Sequence, residues 1–154
     1  KLDSFPMYDG AFPIKVGGEW LHNVSAASQN EAWNAGITLG KAGHKGLWEI
    51  NYKYEFLRAD AWYEEMVDDD FGSYYSSADA SRGVASAGFK GGTNAKGHTL
   101  SLEYAPLKNT RLQLTVFAND LMGRDALRLV PVFGGKENVE GPYRRVQLDV
   151  NFKF

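Results

Sequence analysis

The sequence predicts an all-β fold, a transmembrane antiparallel up-and-down β-barrel, from three observations. From Val146 to Phe154 every even position is apolar and every odd one polar, which is strand periodicity running without a break to a terminal aromatic residue. Five further segments alternate in the same way. The connections between them are unequal, short at one end of the strands and long at the other, as in outer-membrane barrels.

Taken in order, the first strand sets Ile14, Val16, Gly18 and Trp20 against Lys15, Gly17, Glu19 and Leu21. The second sets Trp33, Ala35, Ile37 and Leu39 against Asn34, Gly36, Thr38 and Gly40. The third sets Trp48, Ile50, Tyr52, Tyr54 and Phe56 against Glu49, Asn51, Lys53 and Glu55. In the fourth, Leu100, Leu102 and Tyr104 oppose Thr99, Ser101 and Glu103. In the fifth, Leu112, Leu114, Val116 and Ala118 oppose Arg111, Gln113, Thr115 and Asn119. The sixth is the terminal strand, with Arg145, Asp149 and Lys153 on its polar side. Strands of about 9–11 residues cross a bilayer at a tilt.

Ala42–Gly46 and Pro106–Thr110 read as short turns, and about 61–96 and 122–142 as long surface loops of one domain, 1–154. With the C-terminus at the periplasmic end, the second, fourth and sixth strands run downward and both short turns fall on the periplasmic side. A mean hydropathy of −0.39 fits a barrel that shows lipid at every second residue only, and no run approaches the ~20 apolar residues of a membrane helix. The chain starts at Lys1 without a secretory leader, as expected of a mature product or a piece of a longer chain. A lipocalin-like barrel or a sandwich shares the alternation. Charge-rich polar faces, tryptophans near opposite strand ends (Trp20 and Trp48) and the long loops favour the membrane.

Outer-membrane barrels start at about eight strands, so six belong to a larger barrel, completed by sequence outside this chain or by further copies. A closed eight-stranded barrel is the alternative, with Val84–Lys90 and Leu127–Phe133 as extra strands, although Pro131 would interrupt a ladder there.

Composition excludes several functions. A formal charge of −2 argues against nucleic acid, and the absence of cysteine removes disulfides and thiolate metal sites. His22, His44 and His98 share no motif, no GxSxG elbow is present, and no metal, cofactor or enzymatic activity is expected. Gly91–Gly97 is glycine-rich but lacks the ending of a phosphate loop and reads as a bend into a strand. Asn23-Val-Ser25 fits a glycosylation acceptor in form only. Glu64, Glu65, Asp68, Asp69 and Asp70 form an acidic cluster that reads as a solvated face, with a divalent cation or a field at a pore mouth as the alternatives. The polar faces are the best candidate site, a wet lumen lined by Lys15, Glu19, Glu49, Lys53, Glu55, Glu103, Arg111, Arg145, Asp149 and Lys153. Five charges of each sign imply no strong ion selectivity. Glu49, Lys53 and Glu55 are expected either to face Arg111, Arg145 and Lys153 as charge rings or to pair across strands and stiffen the wall.

Asp68-Asp-Asp-Phe-Gly72, Gly91-Gly-Thr-Asn-Ala-Lys-Gly-His98 with the strand after it, and Tyr104-Ala-Pro-Leu-Lys-Asn-Thr110 resemble the C-terminal part of the "putative porin" family of Gram-negative outer-membrane β-barrels, over about residues 46–154. The resemblance implies a bacterial outer-membrane channel for passive diffusion of small polar solutes. The terminal aromatic on an amphipathic strand also resembles the signal read by the barrel-assembly machinery, which captures an edge strand by strand addition. Val150, Phe152 and Phe154 would be the recognised side chains, with anchoring of Phe154 at the interface as the alternative or additional role. Residues 73–90 intervene where the family runs on almost directly, and they enlarge a surface loop. Hence the alternative of a non-conducting scaffold whose loops bind another membrane or surface protein. Outer-membrane lipid and an oligomeric assembly complete the expected partners.

Overall fold

A computed structural model describes residues 1–63, 67, 70–71, 75–76, 90–91, 93–122 and 142–153. Among these residues eight strands form, in chain order: β1 (Ile14–His22), β2 (Glu31–Gly40), β3 (Trp48–Leu57), β4 (Tyr75–Ser76), β5 (Lys90–Gly91), β6 (Ala95–Leu107), β7 (Thr110–Leu121) and β8 (Tyr143–Phe152). Six build one antiparallel sheet in the order β1-β2-β3-β6-β7-β8, and β4 pairs with β5 in a small ribbon. The sheet is a meander whose edges, β1 and β8, do not pair with each other, so it is open. The all-β antiparallel expectation and all six expected strands are met.

Several strands run a residue or two beyond the sequence reading, and the largest differences lie in β6 and the turn after it. β6 runs from Ala95 to Leu107, longer than Thr99–Tyr104 at both ends, because Ala95–His98 continue the ladder against Leu57–Tyr54 of β3. The expected turn at Pro106–Thr110 shrinks to Lys108–Asn109. Between the Tyr104↔Leu112 and Leu107↔Thr110 pairs, β6 carries one extra residue. This bulge seats Pro106 where no ladder N–H is required, while Ala105 turns to the neighbouring turn, donating to Leu47 O (3.0 Å) and accepting from Gly46 N (2.7 Å).

The closed eight-stranded alternative is not met. β3 pairs directly with β6 and β7 directly with β8, so neither gap admits an inserted strand. Residues 84–89 and 127–133 themselves lie outside the described residues.

The register carries each apolar residue into rows that cross the whole sheet. Ile14, Leu39, Ile50, Leu102, Leu114 and Leu148 form one row, and Val16, Ile37, Tyr52, Leu100, Val116 and Val146 the next. Period-two alternation sends every second side chain to this face. The face is not covered: Val16, Val146 and Leu148 are 79, 69 and 71% exposed.

The buried residues lie elsewhere. One group closes the end bearing the short turns, where residues 1–13 hook back on themselves (Leu2↔Phe12 and Phe5↔Tyr8 bridges) and wrap Trp48. Phe5, Tyr8 and Phe12 place their rings 5.9, 5.7 and 5.3 Å from Trp48, whose Nε1 donates to Met7 O at 2.9 Å. Gly40 ends β2 at φ +76°, beside Tyr8 and Phe12, a conformation and a closeness that a side chain would oppose. The sequence reading placed Trp48 at its strand's lower end and missed this hook, because residues 1–13 show no period.

Candidate functional site

The face opposite the apolar rows carries all the lumen residues named from sequence that lie within strands, and the register sorts them into bands. Nearest the short turns, Arg111 stands across from Asn151. Above it runs an acidic row, Glu49, Glu103, Gln113 and Asp149. Then follows a neutral row: Thr38, Asn51, Ser101, Thr115 and Gln147, with Lys15 at the β1 edge. The next row holds Lys53, Thr99, Phe117 and Arg145, and the uppermost polar row Glu19, Asn34, Glu55, Gly97 and Asn119. Lys153 follows β8, its backbone N–H donating to Asn109 O at 2.9 Å.

Hydrogen bonds tie the neutral row across strands. Asn51 donates to Thr38 Oγ1 (2.8 Å), Gln113 to Ser101 Oγ (3.0 Å), and the Ser101 and Thr115 hydroxyls share a bond of 3.3 Å. Gln147 Nε2 donates to both Asp149 oxygens, at 3.3 and 3.0 Å. A depression of about 250 Å³ opens on this wall, lined by Glu49, Asn51, Ser101, Glu103 and Gln113.

The charged residues pair locally rather than across the sheet. Lys53 reaches Glu55 two residues along its own strand (2.8 Å), and Arg111 lies 3.1 Å from Glu103 on the adjoining strand without an aligned hydrogen bond to that oxygen. Among the described ion pairs, none joins Glu49, Lys53 or Glu55 to Arg111, Arg145 or Lys153. The reason is positional, since β6 separates β3 from β7. These pairs stand half-open to water, where each contributes a few tenths to about 1 kcal/mol.

Arg145 instead pairs with Asp70, from the loop after β3. The upper part of the polar face is therefore covered by its own loop. Asn119, fully buried, donates from Nδ2 to Phe71 O, and Phe71 is itself buried. Ala61, Thr93, Ala95 and Phe117 are buried in the same region. The glycine-rich stretch supplies the clamp. Thr93 Oγ1 donates to Ala59 O (2.7 Å), Asn94 turns the chain at φ 61° and accepts from Met122 N (2.8 Å), and Gly97 stands opposite Asn119. A Cβ at Gly97 would run into the Asn119 side chain, so only glycine leaves it room. Thr93→Ala is expected to cost about 1 kcal/mol, the worth of one such bond, read by urea unfolding. Beside the clamp a cleft of about 380 Å³ is lined by Glu19, Asn34, Glu55, Leu57, Trp62 and Phe71, among others.

Asp70 thus belongs to the loop clamp; Glu64, Glu65, Asp68 and Asp69 lie outside the described residues. Among the described residues no group of three or more His, Asp or Glu is placed to hold a metal. His98 accepts or shares a bond with Tyr52 OH at 2.7 Å on the apolar face, His22 stacks on Trp20, and His44 is exposed in its turn. Asn23 uses its side-chain amide to donate to Asp60 O (2.7 Å), a structural tie between two connections. Val150 and Phe152 are exposed on the apolar side of the β8 edge, and Phe154 lies outside the described residues.

The clamp was missed from sequence, yet one signal pointed to it. Phe117 is an apolar residue at a polar position of β7, and Leu21, Ala32, Leu57 and Ala95 form an apolar row above it on the same face. Comparison with protein-family models, curated proteins and solved structures returns no match to this chain.

Proposed function

We propose that this sheet is part of the wall of a bacterial outer-membrane β-barrel, its apolar face against lipid and its banded polar face lining a porin-like passage for small polar solutes. The observation that carries the reading is the pairing of opposite faces. One is apolar and uncovered across six strands below its loop end, where Lys96, His98, Asp120 and Arg144 take up the rim, while the other holds charges and hydrogen-bonding amides along its length. In water so large an exposed apolar patch favours association, whereas in a bilayer it is the stable arrangement. The aromatic residues Trp20, Trp33 and Phe56 share a row near one end of that face, and Trp48 and Tyr104 share one near the other, matching two interfacial girdles. The six strands alone are too few to enclose a passage, so further strands complete the barrel. The motifs within residues 46–154 that resemble the porin family point the same way. No nucleophile or cofactor enters; passage is passive.

The loop docked on the polar face narrows the passage at the level of Lys53 and Arg145. It also favours a second reading, a scaffold whose interior is closed by its loop and whose outer surface binds another protein. Conductance separates the two. The protein, extracted from membranes in detergent and placed in a planar bilayer, is expected to give stepwise ion currents. Extraction without current would support the scaffold, and recovery in the aqueous fraction without detergent would overturn both.

A further inference from the structure

Two strands of the polar wall repeat one charge arrangement. On β3, Glu49 and Lys53 lie four residues apart on the same face; on β8, Asp149 and Arg145 do the same. The register aligns the two carboxylates in one row and the two cations in another, with Asn51 and Gln147 midway between. Four residues of strand span about 13 Å, so the members of each pair are too far apart to neutralise one another through water. The wall therefore carries a negative band toward the short turns and a band of cationic donors nearer the loops. Amides and hydroxyls fill the interval, and the depression of about 250 Å³ opens at the acidic band.

We propose, on the porin reading above, that this wall favours short zwitterionic peptides, of about three to four residues, over solutes of one charge. An extended peptide covers about 3.3–3.6 Å per residue, so four residues bridge the bands. β3 and β8 stand three strands apart, about 14 Å, so each offers its own lane. A peptide along β3 sets its ammonium at Glu49 and its carboxylate at Lys53, with Asn51 and Ser101 at its amides, and one along β8 uses Asp149, Arg145 and Gln147 in the same way. Lys53 is bridged to Glu55, and Arg145 to Asp70 and to Gln147 Oε1 (3.1 Å), yet an ammonium carries three donors and a guanidinium five, so each can donate to a further carboxylate. A lone cation finds a partner at the acidic band only, and a lone anion at the cationic donors only. Only a dipolar solute of the right length is favoured at both.

The test uses liposomes carrying the native membrane assembly. Swelling rates are compared for tetraglycine, its N-acetyl form (an anion), its amide (a cation) and a neutral trisaccharide. Tetraglycine is expected to enter about threefold faster than either blocked form, the size of one weakly screened ion pair. The Glu49→Gln, Asp149→Asn double variant, which removes the carboxylate of both strands and is shown to be assembled by its β-sheet circular dichroism, is expected to bring tetraglycine down to the rate of its N-acetyl form. Equal peptide rates in the native protein, with the sugar entering, would overturn the preference and leave the porin reading standing. No entry of the sugar would overturn the porin reading, and the preference with it.

Discussion

Leu148→Arg is expected to weaken stable insertion, while Gln147→Arg, one residue away on the same strand, leaves it intact. Leu148 is 71% exposed and Gln147 faces the polar wall. In a water-soluble sheet the arginine at 148 would cost little, since exposed substitutions are mostly within about 0.5 kcal/mol. Against lipid at mid-depth the same charge costs about 2–4 kcal/mol. Leu148 stands between the two aromatic rows, one row above that of Trp48 and Tyr104 and three below that of Trp20, Trp33 and Phe56, so its cost falls below the mid-depth figure, to about 1–2 kcal/mol. Urea titration of folding into lipid vesicles measures both variants. Equal stability would mean that the exposed apolar face does not meet lipid.

The second large effect concerns the clamp. Gly97→Ala is expected to lose about 1–3 kcal/mol, the range for forcing a methyl into a packed site. The new Cβ meets the Asn119 side chain and the Ala118 carbonyl. The carbonyl and the Asn119 Cα, which the Cβ also meets, are ladder backbone and cannot swing aside, so β6 and β7 have to part locally, and the displaced Asn119 side chain releases Phe71 O. The loop then loses its central tether, and the proposed passage widens. Single-channel conductance should rise in this variant and also in Asn119→Ala, which removes the tether without the clash. Unchanged stability in Gly97→Ala would show that the clamp does not hold the loop, and unchanged conductance in both would show that the loop does not limit the passage.

Legibility followed the range of the forces involved. The alternation of Trp48–Phe56 or of Val146–Phe152 is a property of consecutive residues, and it sufficed to place six strands and to assign each side chain to a face. The turn at Lys108–Asn109 was less legible, because the bulge at Ala105–Pro106 depends on a partner strand and on Leu47. The hook of residues 1–13 has no period of its own and exists through its contacts with Trp48. Within Gly91–Gly97, the expected bend into a strand is met at Thr93 and Asn94, which lead into β6; its purpose needed Asn119 and Phe71, distant in sequence.

The charges show the same division. Their number, sign and shared face follow from sequence alone, through alternation. Their grouping does not, because a row exists only when neighbouring strands settle into register, and register is fixed by the packing of whole strands and the geometry of their turns. Pairing decided that Glu49 stands beside Glu103, that Lys53 shares a level with Arg145, and that Arg145 holds Asp70 across the loop. By itself the sequence determined a two-faced antiparallel sheet, since strand period and residue polarity are local. Tertiary structure alone decided that the sheet stays open and that one loop folds onto its polar face. Both depend on contacts between residues far apart in the chain.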